Sequence, residues 1–101
     1  MTQTDTPTVA QAIAAQLKQR RAWRVIGVLQ VLKYHPDFRG KVNLGKATGA
    51  RGDNSRAARP VDRAQALGLI TGRQDLGRGN CYIYNLTPTG REVATALEVS
   101  P

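Results

Sequence analysis

Residues 54–87 have the sequence NSRAARPVDRAQALGLITGRQDLGRGNCYIYNLT, and this stretch decides the fold. Its first part places apolar residues at helical spacing, at Val61, Ala64 and Leu67. Gly68 follows directly, and glycine is the residue that most often ends a helix in a left-handed cap. The pattern therefore predicts a helix that ends near Leu67.

The rest of the same stretch has the composition of a β-hairpin. A polar, glycine-rich run from Gly72 to Asn80 separates Ile70-Thr71 from the segment Cys81–Leu86, which is rich in aromatic and β-branched residues. Thr87-Pro88 follows, and a hydroxyl cap with proline at the first helical position is typical of a helix start. The predicted order is helix, hairpin, helix.

Positive charge is concentrated in the middle of the chain, whose formal net charge is +8. Between Arg39 and Arg78, nine basic residues stand against three acidic ones, and seven of the nine are arginine. Arginine suits bidentate contact to phosphate and to guanine, so this bias predicts a nucleic-acid partner. The alternative is a basic surface that is merely solvated.

Length and composition limit the class of protein. With 101 residues, of which 41% are hydrophobic, the chain is long enough for one domain with a single core. No apolar run approaches the roughly 20 residues that span a bilayer, and residues 1–15 lack a secretory signal, so we expect a cytoplasmic, nucleoid-associated protein without membrane contact. One cysteine and one histidine supply no disulfide, metal cluster or nucleophile with its base. We therefore predict no cofactor and no enzymatic activity.

Hydropathy divides the chain into a flexible N-terminus (residues 1–8), a folded domain (residues 9–97) and a C-terminal tail (residues 98–101). Apolar residues from Trp23 to Leu32 are dense enough for a central helix that is buried on more than one side. This helix is expected to end before Pro36, because proline disfavours helix at the residue before it. The sequence leaves open whether the helical pattern that precedes this proline is one helix or two.

Turn residues dominate the segment between the central helix and residue 54. Lys41–Asn43 is a candidate short strand. Asn43 can cap a short helical turn, Leu44–Thr48, that ends at Gly49. This segment is therefore predicted to be irregular, apart from one short helix.

Pro60 affects where the next helix begins. The helix starts either near Arg59, with the proline in its first turn, or earlier at Ser55, with a bend at the proline. We favour the early start, for which Asp53, Asn54 or Ser55 can supply the cap.

Three segments together resemble the winged helix-turn-helix of MarR-like transcription regulators, namely Leu44–Gly49, Val61–Ile70 and Tyr82–Glu92. The most specific parts are the Leu-Gly-Leu-Ile end of the second segment and the Leu-Thr-Pro-Thr-Gly-Arg-Glu of the third. The resemblance covers roughly residues 23–97. It implies an α+β, mainly α fold, a winged helix-turn-helix with a two- to three-stranded wing and an extra N-terminal helix.

The resemblance also implies which residues meet DNA. In this fold the second helix of the pair lies in the major groove and presents its N-terminal residues to base edges. The base-reading candidates are Asn54, Ser55, Arg56, Arg59 and Arg63. The phosphate candidates are Lys46, Arg51 and Arg73. The wing and minor-groove candidates are Arg78, Gly77 and Gly79. The alternatives are that Arg59 or Arg63 pairs with Asp62 or touches phosphate, and that the wing tip is a solvated loop.

Apolar faces occur at both ends of the predicted domain. An alanine-rich N-terminal segment has apolar residues at every fourth position, which predicts an extra helix, and the last predicted helix, Pro88–Leu97, has an apolar face. The residues on these faces are Val9, Ile13, Leu17, Val93 and Leu97. In the resembled family the terminal helices form the dimer, so these residues are candidates for a dimer interface. The alternative is that both helices pack against the central helix of the same chain.

These features together predict a homodimer that binds double-stranded DNA and represses transcription by occupying an operator. A two-fold dimer would place its two recognition helices about 34 Å apart, which matches a pseudo-palindromic site. One alternative is an architectural protein that binds duplexes through charge with little sequence preference. Another is a winged helix that serves as a protein-interaction module. No small-molecule ligand is evident from the sequence.

Overall fold

The computed structural model describes residues 8–49, 52–75 and 81–99, which form five helices and three strands. The helices are α1 (Val9–Gln19), α2 (Trp23–Tyr34), α3 (Lys41–Ala47), α4 (Asn54–Ala66) and α5 (Pro88–Val99), and the strands are β1 (Phe38–Arg39), β2 (Ile70–Asp75) and β3 (Cys81–Leu86). The strands form one antiparallel sheet in the order β1-β3-β2. The predicted mainly helical α+β architecture, with an extra N-terminal helix, is confirmed.

Helix α2 lies at the centre of the core. Val28 and Leu29 are fully buried, and α2 packs against α3, α4 and α5. The chain turns between α1 and α2 at Arg21, whose φ is 55°, and Ala22 N donates to Leu17 O at 2.9 Å. The N-terminal pattern is therefore two helices, and the predicted central helix is confirmed.

The terminal helices α1 and α5 pack against each other and against α2. Leu17, Val93 and Leu97 are buried in the core of the single chain, whereas Ile13 is half-buried and Val9 is 73% exposed. Because the three buried side chains already form contacts between helices of one chain, they are not available as exposed dimer-interface residues. Leu17, Val93 and Leu97 thus pack within the single chain, which is the alternative that the sequence left open. Of the five predicted interface residues, only Val9 and Ile13 remain accessible.

Helix α3 begins earlier than the sequence predicted. Its N-cap is Gly40, whose φ is 90°, Leu44 N donates to Gly40 O at 3.0 Å, and Asn43 lies inside the helix. The predicted strand at Lys41–Asn43 and the predicted Asn43 cap are therefore both wrong. The strand forms just before them as β1, which pairs with β3, and the positive φ of Gly40 then turns the chain into α3.

Helices α3 and α4 form the helix-turn-helix pair, and they cross very closely. A β-carbon at Gly45 would lie 1.7 Å from the carbonyl oxygen of Ala57, a separation that no side chain can accept. Leu44 on α3 and Val61 on α4 are fully buried. The crossing therefore requires glycine at position 45, and it fixes how α4 is rotated about its own axis.

Helix α4 starts early, as favoured from the sequence. Asp53 is its N-cap, and Arg56 N donates to Asp53 Oδ1 at 3.0 Å. Pro60 lies inside the helix and is buried, and because it has no N–H it cannot donate to the Arg56 carbonyl one turn before it. The helix ends just before Leu67, as predicted.

Thr87 joins the end of α4 to the beginning of α5. Its Oγ1 donates to Gly68 O at 2.7 Å and accepts from Gly90 N at 3.0 Å, while its own N donates to Leu69 O at 3.0 Å. The predicted Thr87 cap is confirmed. Because one residue bonds to both elements, the base of the hairpin is held against the helix pair.

The hairpin strands pair over their full length, from Ile70 opposite Leu86 to Asp75 opposite Cys81, which confirms the predicted hairpin. Arg39 Nη1 on β1 lies 2.8 Å from Asp75 Oδ2 on β2. Since β3 separates these two strands, the ion pair spans the central strand of the sheet. The sheet therefore holds the hairpin by both backbone and side-chain contacts.

A polar cluster connects the end of α2 to the end of α5. Glu98 Oε1 accepts from Lys33 Nζ at 2.5 Å, and Glu98 Oε2 accepts from Tyr34 OH at 2.6 Å. The hydrogen bonds from Lys33 and Tyr34 lower the pKa of Glu98 below its ordinary value of 4.5. The bond to Glu98 raises the pKa of Tyr34 above 10.0.

We expect Gly45→Ala to destabilise the fold strongly, by about 2 kcal/mol or more, because its new methyl group overlaps the Ala57 carbonyl. Gly27→Ala is the matched control. Its methyl group would lie 3.0 Å from the Thr48 side chain, and the better helix preference of alanine offsets the tighter contact. Urea unfolding followed by circular dichroism measures both; equal effects of the two substitutions would contradict the close crossing.

Glu98→Gln should reduce the pH dependence of stability in acid. Since the folded-state pKa of Glu98 is lowered, its stabilising effect is present above pH 4.5 and is lost as the pH falls through the lowered value. The wild type and Glu98→Gln should therefore differ in melting temperature at neutral pH and converge in acid. A difference that stays constant with pH would show that Glu98 does not form these bonds in solution.

Candidate nucleic-acid interface

Helix α4 has one buried side and one basic side. Ala57, Pro60, Val61 and Ala64 are buried, so the residues on the opposite side face solvent. Successive residues of a helix are about 100° apart, which puts the exposed arginines of α4 within an arc of about 60°. These residues are Arg56, Arg59 and Arg63, and we call them the arginine flank.

The other two base-reading candidates do not lie on the arginine flank. Ser55 is exposed near the middle of the outer face, on the same side as Asp62. Asn54 is also exposed, but it lies about 180° from Arg63 around the helix axis. The structure therefore brings the three arginines together and separates Asn54 from them.

The acidic residue of α4 is paired elsewhere. Asp62 Oδ1 lies 2.7 Å from Lys41 Nζ on α3, and this hydrogen bond raises the pKa of Lys41. The alternative in which Arg59 or Arg63 pairs with Asp62 is therefore not the arrangement found. Within residues 8–49, 52–75 and 81–99, no ion pair involves the arginine flank.

The arginine flank forms one wall of an open groove of about 840 Å³. The opposite wall is the turn before α2 and its first residues, which include Arg21, Trp23 and Arg24. Trp23 is 59% exposed, which is unusual for so large an apolar ring. No acidic residue is among the described residues that line this groove, so its positive charge is not compensated locally.

Sequence reasoning missed Arg21, Trp23 and Arg24. The sequence pattern assigned Trp23 to the start of the central core helix and gave the two arginines no role. The available signal was an aromatic residue between basic ones, because basic residues interleaved with an aromatic are common on nucleic-acid-binding surfaces. Only the packing of α2 against α4 shows that these residues face the arginine flank.

Arg24 also connects α2 to the helix-turn-helix pair. Its Nη1 donates to the carbonyl oxygen of Thr48, the C-cap residue of α3, at 2.8 Å. A positive group near the end of a helix complements the negative end of its dipole. Arg24 therefore stabilises the beginning of the turn that leads to α4.

The phosphate and wing candidates have different surroundings. Lys46 is exposed on α3, and Arg73 is exposed on β2 with its Nη2 3.7 Å from Asp37 Oδ1. Asp37 Oδ1 also accepts from Asn85 Nδ2 at 2.8 Å, so Arg73 takes part in a contact between β2 and the segment before β1. The remaining candidates lie outside the described residues; they are Arg51, Gly77, Arg78 and Gly79.

Comparison with solved structures identifies the fold. The chain is similar to the PcaV transcriptional regulator from Streptomyces coelicolor, with 25% sequence identity, a TM-score of 0.66 and coverage of 91% of this chain and 74% of PcaV. It is also similar to the MarR-family transcriptional regulator SPO1453 from Silicibacter pomeroyi, with 25% identity, a TM-score of 0.62 and coverage of 89% and 62%. A second PcaV structure, in complex with its natural ligand, gives a TM-score of 0.64 at 24% identity.

No family model and no curated protein sequence matches the chain. Within the described residues, none of the helices is both long and apolar enough to cross a membrane. The structural neighbours are transcriptional regulators and not enzymes. The predicted MarR-like winged helix is confirmed.

Asp53→Ala should destabilise the domain by about 1 kcal/mol relative to Asp53→Asn, because asparagine keeps the oxygen that accepts from Arg56 N, whereas alanine does not. The two variants have the same net charge, so electrostatic differences cancel. Urea unfolding of both variants measures this difference. Equal stability would mean that the cap does not hold the first turn of α4 in solution.

Proposed function

We propose that this MarR-like winged-helix protein is a DNA-binding transcriptional regulator, and that it represses transcription as a homodimer that occupies a specific double-stranded operator. The structural neighbours are transcriptional regulators of this fold. The proposal extends that similarity to DNA binding by this chain, using the charge and geometry of its own residues.

The observation that carries the proposal is the arginine flank of α4. Three guanidinium groups lie along one side of the second helix of the pair, and none is neutralised by an acid within the described ranges. Guanidinium groups stay charged and fork onto guanine O6 and N7 or onto phosphate oxygens. An exposed helix that carries these groups along one flank of its outer face can enter the major groove of a duplex.

Dimer formation is the second part of the proposal, and its geometry differs from the one expected from sequence. An open groove of about 700 Å³ lies between α1 and α5, with Ala10, Leu86 and Ala96 among its apolar lining. Val9 and Ile13 are the accessible apolar residues of α1. This surface is the proposed contact with a second copy, and a two-fold axis there would pair the two α4 helices on one duplex.

The rival is an architectural protein that binds duplexes with little preference. The separation of Asn54 from the arginine flank favours it, because a surface made of arginine alone can bind through phosphates. Selection of bound fragments from random DNA at physiological salt separates the two. A regulator should favour its selected duplex by roughly 10³-fold or more over random duplexes, with two half-sites about 34 Å apart. Binding without preference would support the architectural role.

Substitution of the arginine flank tests which surface binds DNA. Arg56→Ala, Arg59→Ala and Arg63→Ala should each weaken binding to the selected duplex by about 1 to 3 kcal/mol. Arg20→Ala removes the same charge from the exposed C-cap residue of α1, which lines neither groove, and is the control, with little effect expected. Fluorescence anisotropy with labelled duplex measures all four. If the four variants lose affinity equally, or none loses any, the arginine flank is not the binding surface.

A further inference from the structure

We infer that the groove opposite the arginine flank also belongs to the DNA interface, so that Arg21 and Trp23 contact the sugar-phosphate backbone of the same duplex that α4 enters. This inference rests on the proposed function. It adds a part of the chain, the turn before α2, that neither the helix-turn-helix pair nor the wing includes.

The groove carries a concentration of positive charge. Five arginines line the groove, three from α4 and two from the turn and first residues of α2, and no described lining residue is acidic. Each guanidinium group presents several N–H donors that can bind phosphate oxygens. Arg24 is partly engaged by the Thr48 carbonyl, but that acceptor is neutral. The groove is therefore a concentrated positive surface that is complementary to an anionic partner.

The groove is continuous with the proposed DNA-binding helix. The arginine flank is both the side of α4 assigned to DNA and one wall of the groove. Because the same groove is lined by residues 21–25, a duplex that meets this flank can bring its nearer strand to the other wall. A polyanion carries a phosphate at every nucleotide, so it can meet several guanidinium groups at once.

Trp23 adds an exposed aromatic side chain to the groove. Its ring is 59% exposed at the edge of the groove, and its indole N–H is a hydrogen-bond donor. The apolar face of the ring can pack on a deoxyribose, while the N–H at its edge can donate to a phosphate oxygen. Trp23 thus provides apolar contact and a hydrogen bond beside the charged groups.

Charge removal at neighbouring positions tests the contact. Arg21 has a φ of 55°, and asparagine tolerates this region, so Arg21→Asn removes the charge without adding strain. Arg20→Asn is the control, because Arg20 is exposed next to it but does not line the groove. In the full chain with its selected duplex, Arg21→Asn should lower the slope of log Kobs against log salt by about 0.9, the value of one phosphate contact, and Arg20→Asn should not.

Trp23 is the only tryptophan of the chain, so its fluorescence reports on the groove directly. At constant ionic strength, bound duplex should protect Trp23 from quenching by iodide. Inorganic phosphate at the same phosphate concentration should not protect it. If inorganic phosphate protects as well as duplex, the groove holds isolated anions and the inference is wrong.

The outcomes distinguish this inference from the proposed function. If the wild type binds no duplex, both fail. If the wild type binds and the α4 substitutions weaken binding, the proposed function stands. The inference alone then fails when Arg21→Asn has the same salt slope as Arg20→Asn and iodide still reaches Trp23 in the complex.

Discussion

The close crossing of α3 and α4 is the constraint on which the proposed interface depends. The backbone of α4 passes Gly45 at Ala57 with no room for a β-carbon, so the side of α4 that carries Ala57 faces α3. This orientation buries Ala57, Pro60, Val61 and Ala64 and leaves the opposite side in solvent. The position of every charged group on α4 follows from this contact between two backbones.

Three acidic residues are bonded to groups other than the side chains of the arginine flank. Asp62 is paired with Lys41 on α3, Asp75 with Arg39 across the sheet, and Asp53 caps the first turn of α4. Exposed ion pairs of this kind contribute little to stability. Their effect here is on the distribution of charge, because they leave the groove between α2 and α4 positive.

Local signals made much of this fold predictable. The glycine after Leu67, the hairpin and the Thr87 cap each depend on a few adjacent residues, and each was predicted correctly. The start of α3 was not, because Gly40 acts through a strand pairing that is distant in sequence. For the same reason, adjacent residues could not predict the burial of Leu17 or the groove beside Trp23. The sequence of one helix shows that a face is apolar or basic, but not which other element packs against that face.

The most direct test of this account is a nuclear magnetic resonance titration of the labelled protein with its selected duplex. The account predicts that the largest changes in amide chemical shift fall on residues 54–63 of α4 and on residues 21–24 before and within α2. The residues that line the groove between α1 and α5 should show the smallest changes. Changes confined to α1 and α5, with α4 unaffected, would contradict the claim that the arginine flank binds DNA.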